Sequence, residues 1–298
     1  MERKHLEYFL AIASHGSFTG AARALAVAQP SLSYAISTLE GEIGAPIFRR
    51  LGRGVVLTSV GEALMEPARQ VLRDFTRVQA AAERVTGLVS GRLDIVAVTT
   101  LAVDPLAEFV GAFRSRYPGI ELSVTDPENA AAVIDVVRRG QCELGLTEHD
   151  ISTAGLRTLR LPEQEMMAVL PPAASAPDSE TLSVRRLADL DLVTTPRGTT
   201  TRSVLDDVLA LVGAPPRIAV ETTHRAAIVP LVLTGAGASL LPRNLALDAK
   251  ALGAVVARID PPLTRRGVLV WLPGGLSSAA EAFVDLVTHW PRDKPASS

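Results

Sequence analysis

The stretch GSFTGAARALAVAQPSLSYAISTLEGEIG, Gly16 to Gly44, decides how the amino-terminal end of the chain folds. Ser17 is a good N-cap, so Phe18 to about Leu25 reads as a short helix with Ala21, Ala22 and Leu25 on its inner face. The two alanines let another helix cross closely. After the Ala26-Val27-Ala28 turn, Pro30 fits the first turn of a following helix. Leu32, Ile36, Leu39 and Ile43 then make one apolar stripe at helical spacing. Two helices across a tight turn form a helix-turn-helix. Pro30, Tyr34, Ser37 and Thr38, with Ser31 at the edge, lie opposite the stripe. Hydroxyls there can meet base edges or phosphates and a ring can meet a thymine methyl, although a solvated helix face also carries such residues.

The flanking sequence extends this unit. Leu6, Phe9, Leu10 and Ala13 predict a first helix over residues 3–14. In PIFRRLGRGVVLTSVGEAL, Pro46–Leu64, Ile47-Phe48 and Val55-Val56-Leu57 are β-prone runs joined by a turn rich in glycine and arginine. They predict a two-stranded wing. Thr58 or Ser59 can cap the next helix, and Ser59 to Glu62 has capping-box spacing. Val60, Leu64, Ala68, Val71, Phe75, Val78 and Ala82 then hold one stripe, with Pro67 predicting a kink. A helix of ~25 residues spans ~37 Å, too long for a small winged domain to cover. A partner helix from another subunit covers it economically, and packing on its own chain is the alternative.

After the hinge-like TGLVSGR, Thr86–Arg92, the grammar changes to alternating strands and helices. LDIVAV (93–98), IELSV (120–124) and ELGLT (143–147) read as strands, with helices from Asp104-Pro105 to Tyr117 and over Asn129–Arg139. This βαβ order predicts a mostly parallel sheet. DLVTTP (191–196), RIAVETT (217–223) and ASLLP (238–242) predict strands of another sheet, with helices near 201–212 and 226–234. GVLVWLP (267–273) and a final helix over 277–289 can return to the first sheet.

Composition narrows the chemistry. At 298 residues the chain should hold two or three domains, and a net charge of -2 means that any contact with nucleic acid rests on a local patch. Residues 1–65 carry six basic and five acidic side chains, leaving +1. One copy should therefore bind DNA weakly and salt-sensitively. The single cysteine, Cys142, rules out an internal disulfide, and the five histidines have no metal-ligand spacing. Neither a metal nor a cofactor is expected. No nucleophile elbow, P-loop or zinc motif points to an enzyme, and GAGAS lacks the context of a dinucleotide fingerprint. The amino terminus reads as an amphipathic helix and not a signal peptide, which argues against an exported solute-binding receptor. No apolar run approaches the ~20 residues of a membrane span, so the expected location is cytoplasmic.

The amino-terminal pattern resembles the LysR-type transcriptional regulators. It rests on Leu6, Phe9, Gly16-Ser17-Phe18, Ala21-Ala22, Leu25, Gln29-Pro30, Ser33, Ile36, Leu39-Glu40, Gly44, Phe48, Arg50, Leu57-Thr58 and Gly61. More loosely, the run from Gly87 to Thr99, YPGIELSV, Gly140 with CELGL, and LVLTGAGASLLP are similar to the rest of that family. The resemblance implies an all-α winged helix-turn-helix domain at residues 1–58, then a long linker helix for dimerisation and a hinge at 59–90. It implies a two-lobed α/β effector-binding domain at 91–298, like a type 2 periplasmic binding protein. Lobe one would take about 91–161 and 267–298, and lobe two about 162–266. The implied partners are double-stranded promoter DNA, a small-molecule effector held between the lobes, and further copies in a homodimer or homotetramer, with RNA polymerase as another candidate.

Candidate DNA contacts are Gln29, Pro30, Ser31, Ser33, Tyr34, Ser37 and Thr38, with Arg49, Arg50 and Arg53 of the wing for phosphates. A structural ion pair is the competing role for Arg50. Ala28 stands where the family usually has Ser or Thr, removing a helix cap or a phosphate contact, and Tyr34 where a basic or amide side chain is common. Candidate effector contacts at strand ends and the following helix starts are Thr99, Thr100, Leu101, Thr147, Pro196, Arg197, Thr199, Thr200, Arg202, Thr223 and His224. Arg197 and Arg202 make an anionic effector one candidate class, with solvated loop arginines as the alternative. Ala130, where the family often has Ser or Thr, weakens a simple carry-over of a carboxylate effector.

Overall fold

The local signals around Gly16 organise the first helices. The computed structural model of the chain describes residues 1–52, 54–86, 91–127, 129–174 and 180–291. Helix α1 (Arg3–His15) ends at Gly16, whose φ of 63° lies in the left-handed region and whose N–H bonds Ile12 O at 2.9 Å. Ser17 caps α2 (Phe18–Ala24), accepting the Gly20 N–H at 3.1 Å. Helix α3 (Gln29–Ile43) carries Pro30 in its first turn and starts from Ala28, which supplies no side-chain cap. Leu32, Ile36 and Leu39 are buried with Leu6, Phe9, Ile12, Ala21 and Ala22, and Ile43 is half-buried at the margin.

The wing is a hairpin of β1 (Phe48–Leu51) and β2 (Gly54–Leu57), with Phe48 opposite Leu57. Glu40 of α3 ties it down: one carboxylate oxygen accepts the Ile47 N–H at 2.8 Å and the Phe48 N–H at 3.3 Å. The Phe48 ring meets Phe9 and Phe18 at centroid distances of 5.6 and 6.0 Å. Thr58 caps α4 (Ser59–Thr86) by accepting the Gly61 N–H at 3.1 Å, while its hydroxyl donates to Pro46 O at 2.8 Å. Ser59 is already helical, so the box expected from Ser59 and Glu62 does not form. The Glu62 N–H bonds Thr58 O instead. At Gly61 a Cβ would fall 2.2 Å from Ile47 O, so the strand entry and the helix start approach too closely for any side chain. Helix α4 has 28 residues and continues through Pro67. Ala68 is buried in the domain core, whereas Val71, Phe75 and Val78 are exposed on the chain alone.

The second unit, which takes in Val89–Pro273, is an α/β structure with two sheets. The hinge expected at Thr86–Arg92 falls largely outside the described residues. Strand β3 (Gly91–Ala97) leads into α5 (Thr99–Leu101), a π-type turn over Ala102–Leu106 with a cis bond before Pro105, and α6 (Ala107–Arg116). Next come β4 (Ile120–Thr125), α7 (Ala130–Arg138) and β5 (Leu144–Glu148), with Asn129 capping α7 through the Ala132 N–H at 2.9 Å. The chain continues through β6 (Arg157–Arg160), β7 (Gln164–Leu170), β8 (Thr181–Ser183), α8 (Val184–Ala188), β9 (Leu192–Thr194) and α9 (Thr200–Ala210). It closes with β10 (Ile218–Glu221), a 3-10 turn at Arg225–Ala227, α10 (Ile228–Leu233), β11 (Ser239–Pro242) and α11 (Arg243–Ala251). Strands β12 (Val255–Asp260), β13 (Thr264–Arg265) and β14 (Gly267–Trp271) precede α12 (Ser278–Thr288).

The first sheet has the order β4-β3-β5-β14-β6. Its first three strands are parallel, but β14 runs antiparallel to both β5 and β6. The second sheet, β11-β7-β12-β8, is antiparallel except for β12 with β8, and β9 with β10 joins it through a bridge from Leu192 to Ala238. The expected mostly parallel sheet is therefore corrected to a mixed one. A strand that returns from the other lobe is not bound by the crossover rule that keeps local βαβ strands parallel. The core of the first lobe is Leu93, Ile95, Phe109, Phe113, Val133, Leu146 and Phe283, and the second sheet is covered by separate buried clusters that include Leu205 and Val232.

The chain crosses between the sheets twice, from β6 to β7 and from β13 to β14, and the two crossings pair through Gln164 with Arg265 and Leu161 with Gly267. Arg265 is buried there. Its two terminal nitrogens donate to Thr100 Oγ1 and Glu148 Oε1, so one guanidinium joins α5, the end of β5 and the crossing strand. Gln164 Nε2 donates to Asp104 O and, at 3.4 Å, to Thr100 O.

Two substitutions test this reading. Glu40→Ala strands two backbone donors and should cost the amino-terminal unit about 1–3 kcal/mol, read as a lower unfolding midpoint for that unit alone. Glu148→Ala leaves Arg265, 6% exposed, as an unpaired buried charge and should cost about 3–5 kcal/mol. The double variant Glu148→Leu with Arg265→Met should recover most of that loss in chemical denaturation.

Candidate nucleic-acid interface and interlobe cleft

The outward face of α3 carries the residues expected to meet DNA. Gln29, Pro30, Ser31, Tyr34 and Ser37 are exposed, and Tyr34 is 77% exposed. An aromatic ring so open has no packing role in the single chain. Two expected contacts are partly engaged: Ser33 Oγ accepts from Gln29 Nε2 at 2.8 Å, and Thr38 Oγ1 donates to Tyr34 O at 3.0 Å. Thr38 is the less free of the two, because its hydrogen is committed to the helix. Arg49 and Arg50 are exposed on β1, and neither has a salt-bridge partner among the described residues. The ion-pair role weighed for Arg50 is thus unsupported. Arg53 lies outside the described residues. A shallow pocket of about 370 Å³ beside the wing is lined by Phe48, Arg49, Val55 and Glu62, among others.

At the effector end the strand-end residues separate into different roles. Thr99 faces the space between the lobes, donating to Asp126 Oδ1 and Oδ2 at 3.1 and 3.0 Å. Thr100 accepts from Arg265 and is buried. Leu101 and Thr147, expected as contacts, are corrected: Leu101 is fully buried, and Thr147 turns inward to donate to Ala130 O at 2.9 Å. Both belong to the core of the first lobe.

In the second lobe, Thr195 and Thr199 hydroxyls lie 2.5 Å apart, and Thr199 also bonds Pro196 O at 2.7 Å. Its hydroxyl is thereby diverted, and α9 has no side-chain cap. Pro196 is half-buried, Thr200 buried, and Arg197, Thr223 and His224 are exposed. Arg197 has no ion-pair partner among the described residues. Arg202 is corrected as an anion contact: it is buried and held by Asp206 at 2.8 Å and Glu221 at 3.3 Å. Its charge is already neutralised.

The residues that span the lobes were not singled out from sequence. Arg225, one position beyond His224, reaches Asp126 at 3.0 Å and also Thr99. Arg265, Glu148 and Gln164 form the other crossing contact. The nearest sequence signal was the candidate pair Thr223 and His224, which directly precede Arg225. A cavity of about 360 Å³ opens beside the crossing strands, between Glu148–Asp150, Ser203, Val204 and Asp207 of α9, and Leu263–Arg266. Burial lifts the Glu148 carboxyl above its ordinary value against the opposing pull of Arg265, and Asp150 and Asp207 push the same way. Burial also lowers Arg265, against the pull of Glu148. Arg266 is paired with Glu163 at 2.7 Å, so the cavity wall keeps two carboxylates, Asp150 and Asp207, without ion-pair partners among the described residues. That wall disfavours an anion. Among the described residues no three potential ligands gather to hold a metal, and no helix is long and apolar enough to cross a membrane.

The family comparisons agree with both halves. A model described as bacterial regulatory helix-turn-helix protein, lysR family, matches residues 3–62, and one described as LysR substrate binding domain matches residues 86–292. The HTH-type transcriptional regulator IlvR of Caulobacter vibrioides is 28% identical over 294 residues, covering 97% of this chain and 98% of its own. An uncharacterised HTH-type transcriptional regulator of Mycobacterium tuberculosis is 31% identical over 299 residues, 95% of this chain and 94% of its own. A full-length OxyR variant from Pseudomonas aeruginosa is similar in structure with a TM-score of 0.74 at 22% identity, covering 97% of this chain and 93% of its own. Full-length CbnR complexed with its target DNA has a TM-score of 0.62 at 22% identity, over 96% and 99%. With a helix-turn-helix domain followed by a two-lobed substrate-binding domain, the chain belongs to the LysR family of DNA-binding transcriptional regulators.

Proposed function

We propose that residues 1–58 bind promoter DNA, that 59–90 pair two copies, and that 91–298 bind a small effector between the lobes, altering the DNA contact without catalysis. The single observation that carries the DNA assignment is the exposed face of α3 with its open Tyr34, in a unit whose wing exposes Arg49 and Arg50, neither with a salt-bridge partner among the described residues. Gln29, Pro30, Ser31 and Ser37 complete the face that enters a major groove, and the arginines supply phosphate attraction. CbnR, a structural neighbour, is known in complex with its target DNA. The proposed effector contacts are Thr99, Pro196, Thr199, Thr223 and His224, with Thr100 and Thr200 behind them. A location in the cytoplasm, where promoter DNA lies, and contact with RNA polymerase follow from this role.

The exposed apolar stripe of α4 supports self-association. Val71, Phe75 and Val78 recur at helical spacing and are 42%, 44% and 70% exposed on the single chain. Two such stripes bury each other, and pairing also doubles the weak +1 head on one DNA site.

Tyr34→Ala should weaken retardation of the target promoter without moving the thermal midpoint, since the residue is 77% exposed. Arg50→Ala should weaken binding evenly across sequences and reduce the slope of log affinity against log salt by about 1 per head. Wild-type binding by both variants at every salt concentration would refute the assigned surface. Val78→Asp should raise the dimer dissociation constant about tenfold or more in sedimentation equilibrium, because burying a valine is worth roughly 1.5–3 kcal/mol. The fold of each copy should be unchanged.

A further inference from the structure

Within the interlobe reading just given, we propose that Arg225 is the receptor for an anionic group of the effector, and that Asp126 is its built-in competitor. The carboxylate of Asp126 holds Arg225 across the cleft until a carboxylate on the ligand takes its place.

Strands β3 and β4 are parallel neighbours, with Val96 opposite Thr125, so Thr99 and Asp126 both emerge from the same edge of the first lobe. Arg225 belongs to the second lobe, in the turn after β10. The contact between them therefore links the lobes. Arg225 Nη1 lies 3.0 and 3.2 Å from the two Asp126 oxygens and also donates to Thr99 Oγ1. Thr99 in turn donates to the same carboxylate at 3.0–3.1 Å. Three groups close one small ring across the cleft.

Two properties make this link exchangeable. A guanidinium offers five donors in a planar fork, and its strongest carboxylate complexes use two nitrogens in parallel. Here one nitrogen does all the work, and among the described residues Nε and Nη2 of Arg225 make no hydrogen bond. The pair is also wet: the Asp126 side chain is 59% exposed and that of Arg225 is 22% exposed. Exposed ion pairs are weak, because water competes for both charges. A ligand carboxylate that met Arg225 through two nitrogens, inside the cleft and away from water, would be the better partner.

The other link between the lobes has the opposite character. The side chains of Arg265 and Glu148 are 6% and 16% exposed and sit on the covalent crossing, where neither can leave without stranding a buried charge. One ion pair acts as a pivot and the other as a catch. Of the other cations considered above, Arg202 is engaged by Asp206 and Glu221 and Arg266 by Glu163, while Arg197 projects from an exposed loop. Arg225 is thus the cation that is both oriented toward the opposite lobe and weakly held.

Chemical rescue with acetate tests this directly, since acetate is the Asp126 side chain without its backbone. The full-length protein would be followed by amide hydrogen exchange in sodium acetate or sodium chloride at matched ionic strength and pH. In wild type, the segments 98–102 and 222–228 should be protected and change little with acetate. In Asp126→Ala both segments should exchange several-fold faster, and acetate but not chloride should restore their protection. In Asp126→Ala with Arg225→Gln the acetate response should vanish. Exchange in Asp126→Ala equal to wild type, or an acetate response that survives in the double variant, would overturn the proposal. Residues 195–203, at the end of the neighbouring strand β9 in the same lobe, report on the rest of that wall in the same spectra. Acetate protection there without any at 222–228 keeps an interlobe site but removes Arg225 from it, and protection at neither place overturns both.

Discussion

A guanidinium taken out of water must find acceptors for its donors, and in the α/β unit Arg265, like Arg202, meets that requirement from buried surroundings. It sits where the chain crosses between the sheets, and its acceptors come from α5 and from the end of β5. The crossing strand, α5 and a central strand must therefore all be in place together. Gly267 next to it is packed equally tightly, since a Cβ there would lie 2.8 Å from the Leu101 side chain. Burial opposes both charges of the pair, raising Glu148 and lowering Arg265, so their value lies in fixing geometry more than in net stability. A pivot of this kind leaves the far side of the cleft as the place where the lobes can respond to a ligand.

The amino-terminal unit meets a different constraint, that of one helix serving two surfaces. Leu32, Ile36 and Leu39 take α3 into the core, which turns Tyr34 and Ser37 outward with no freedom to choose otherwise. Glu40 then spends its carboxylate on the backbone of the wing entry. The arginine-bearing hairpin is placed relative to the exposed face by that single side chain, together with Phe48 against Phe9 and Phe18. The exposed helix face and the arginine-bearing wing are in this sense one assembly.

Much of this was legible without coordinates. The Ser17 cap, the glycine stop at Gly16, the Pro30 start and the apolar stripe of α3 are local signals, and each forms where its chemistry places it. Strand ends such as Thr99 could be guessed because βαβ order alone says which end of a strand faces a cleft. Residue type misled where a partner, near or far in sequence, takes up the side chain. Thr147 and Arg202 have the residue types of ligand contacts, yet Ala130 O claims one and Asp206 with Glu221 claim the other. Strand β7 shows no clear alternation because both its faces are covered by buried clusters.

By itself, then, the sequence determined the helix-turn-helix, the long amphipathic helix and the alternating α/β grammar, because periodicity and capping act between residues a few positions apart. Only the tertiary structure decided the mixed direction of the sheets, the inward turn of Thr147 and the meeting of Arg225 with Asp126 and of Arg265 with Glu148. Those pairs are separated by about a hundred residues or more, and a charge's partner at that distance is chosen by how the lobes pack and what they exclude from water.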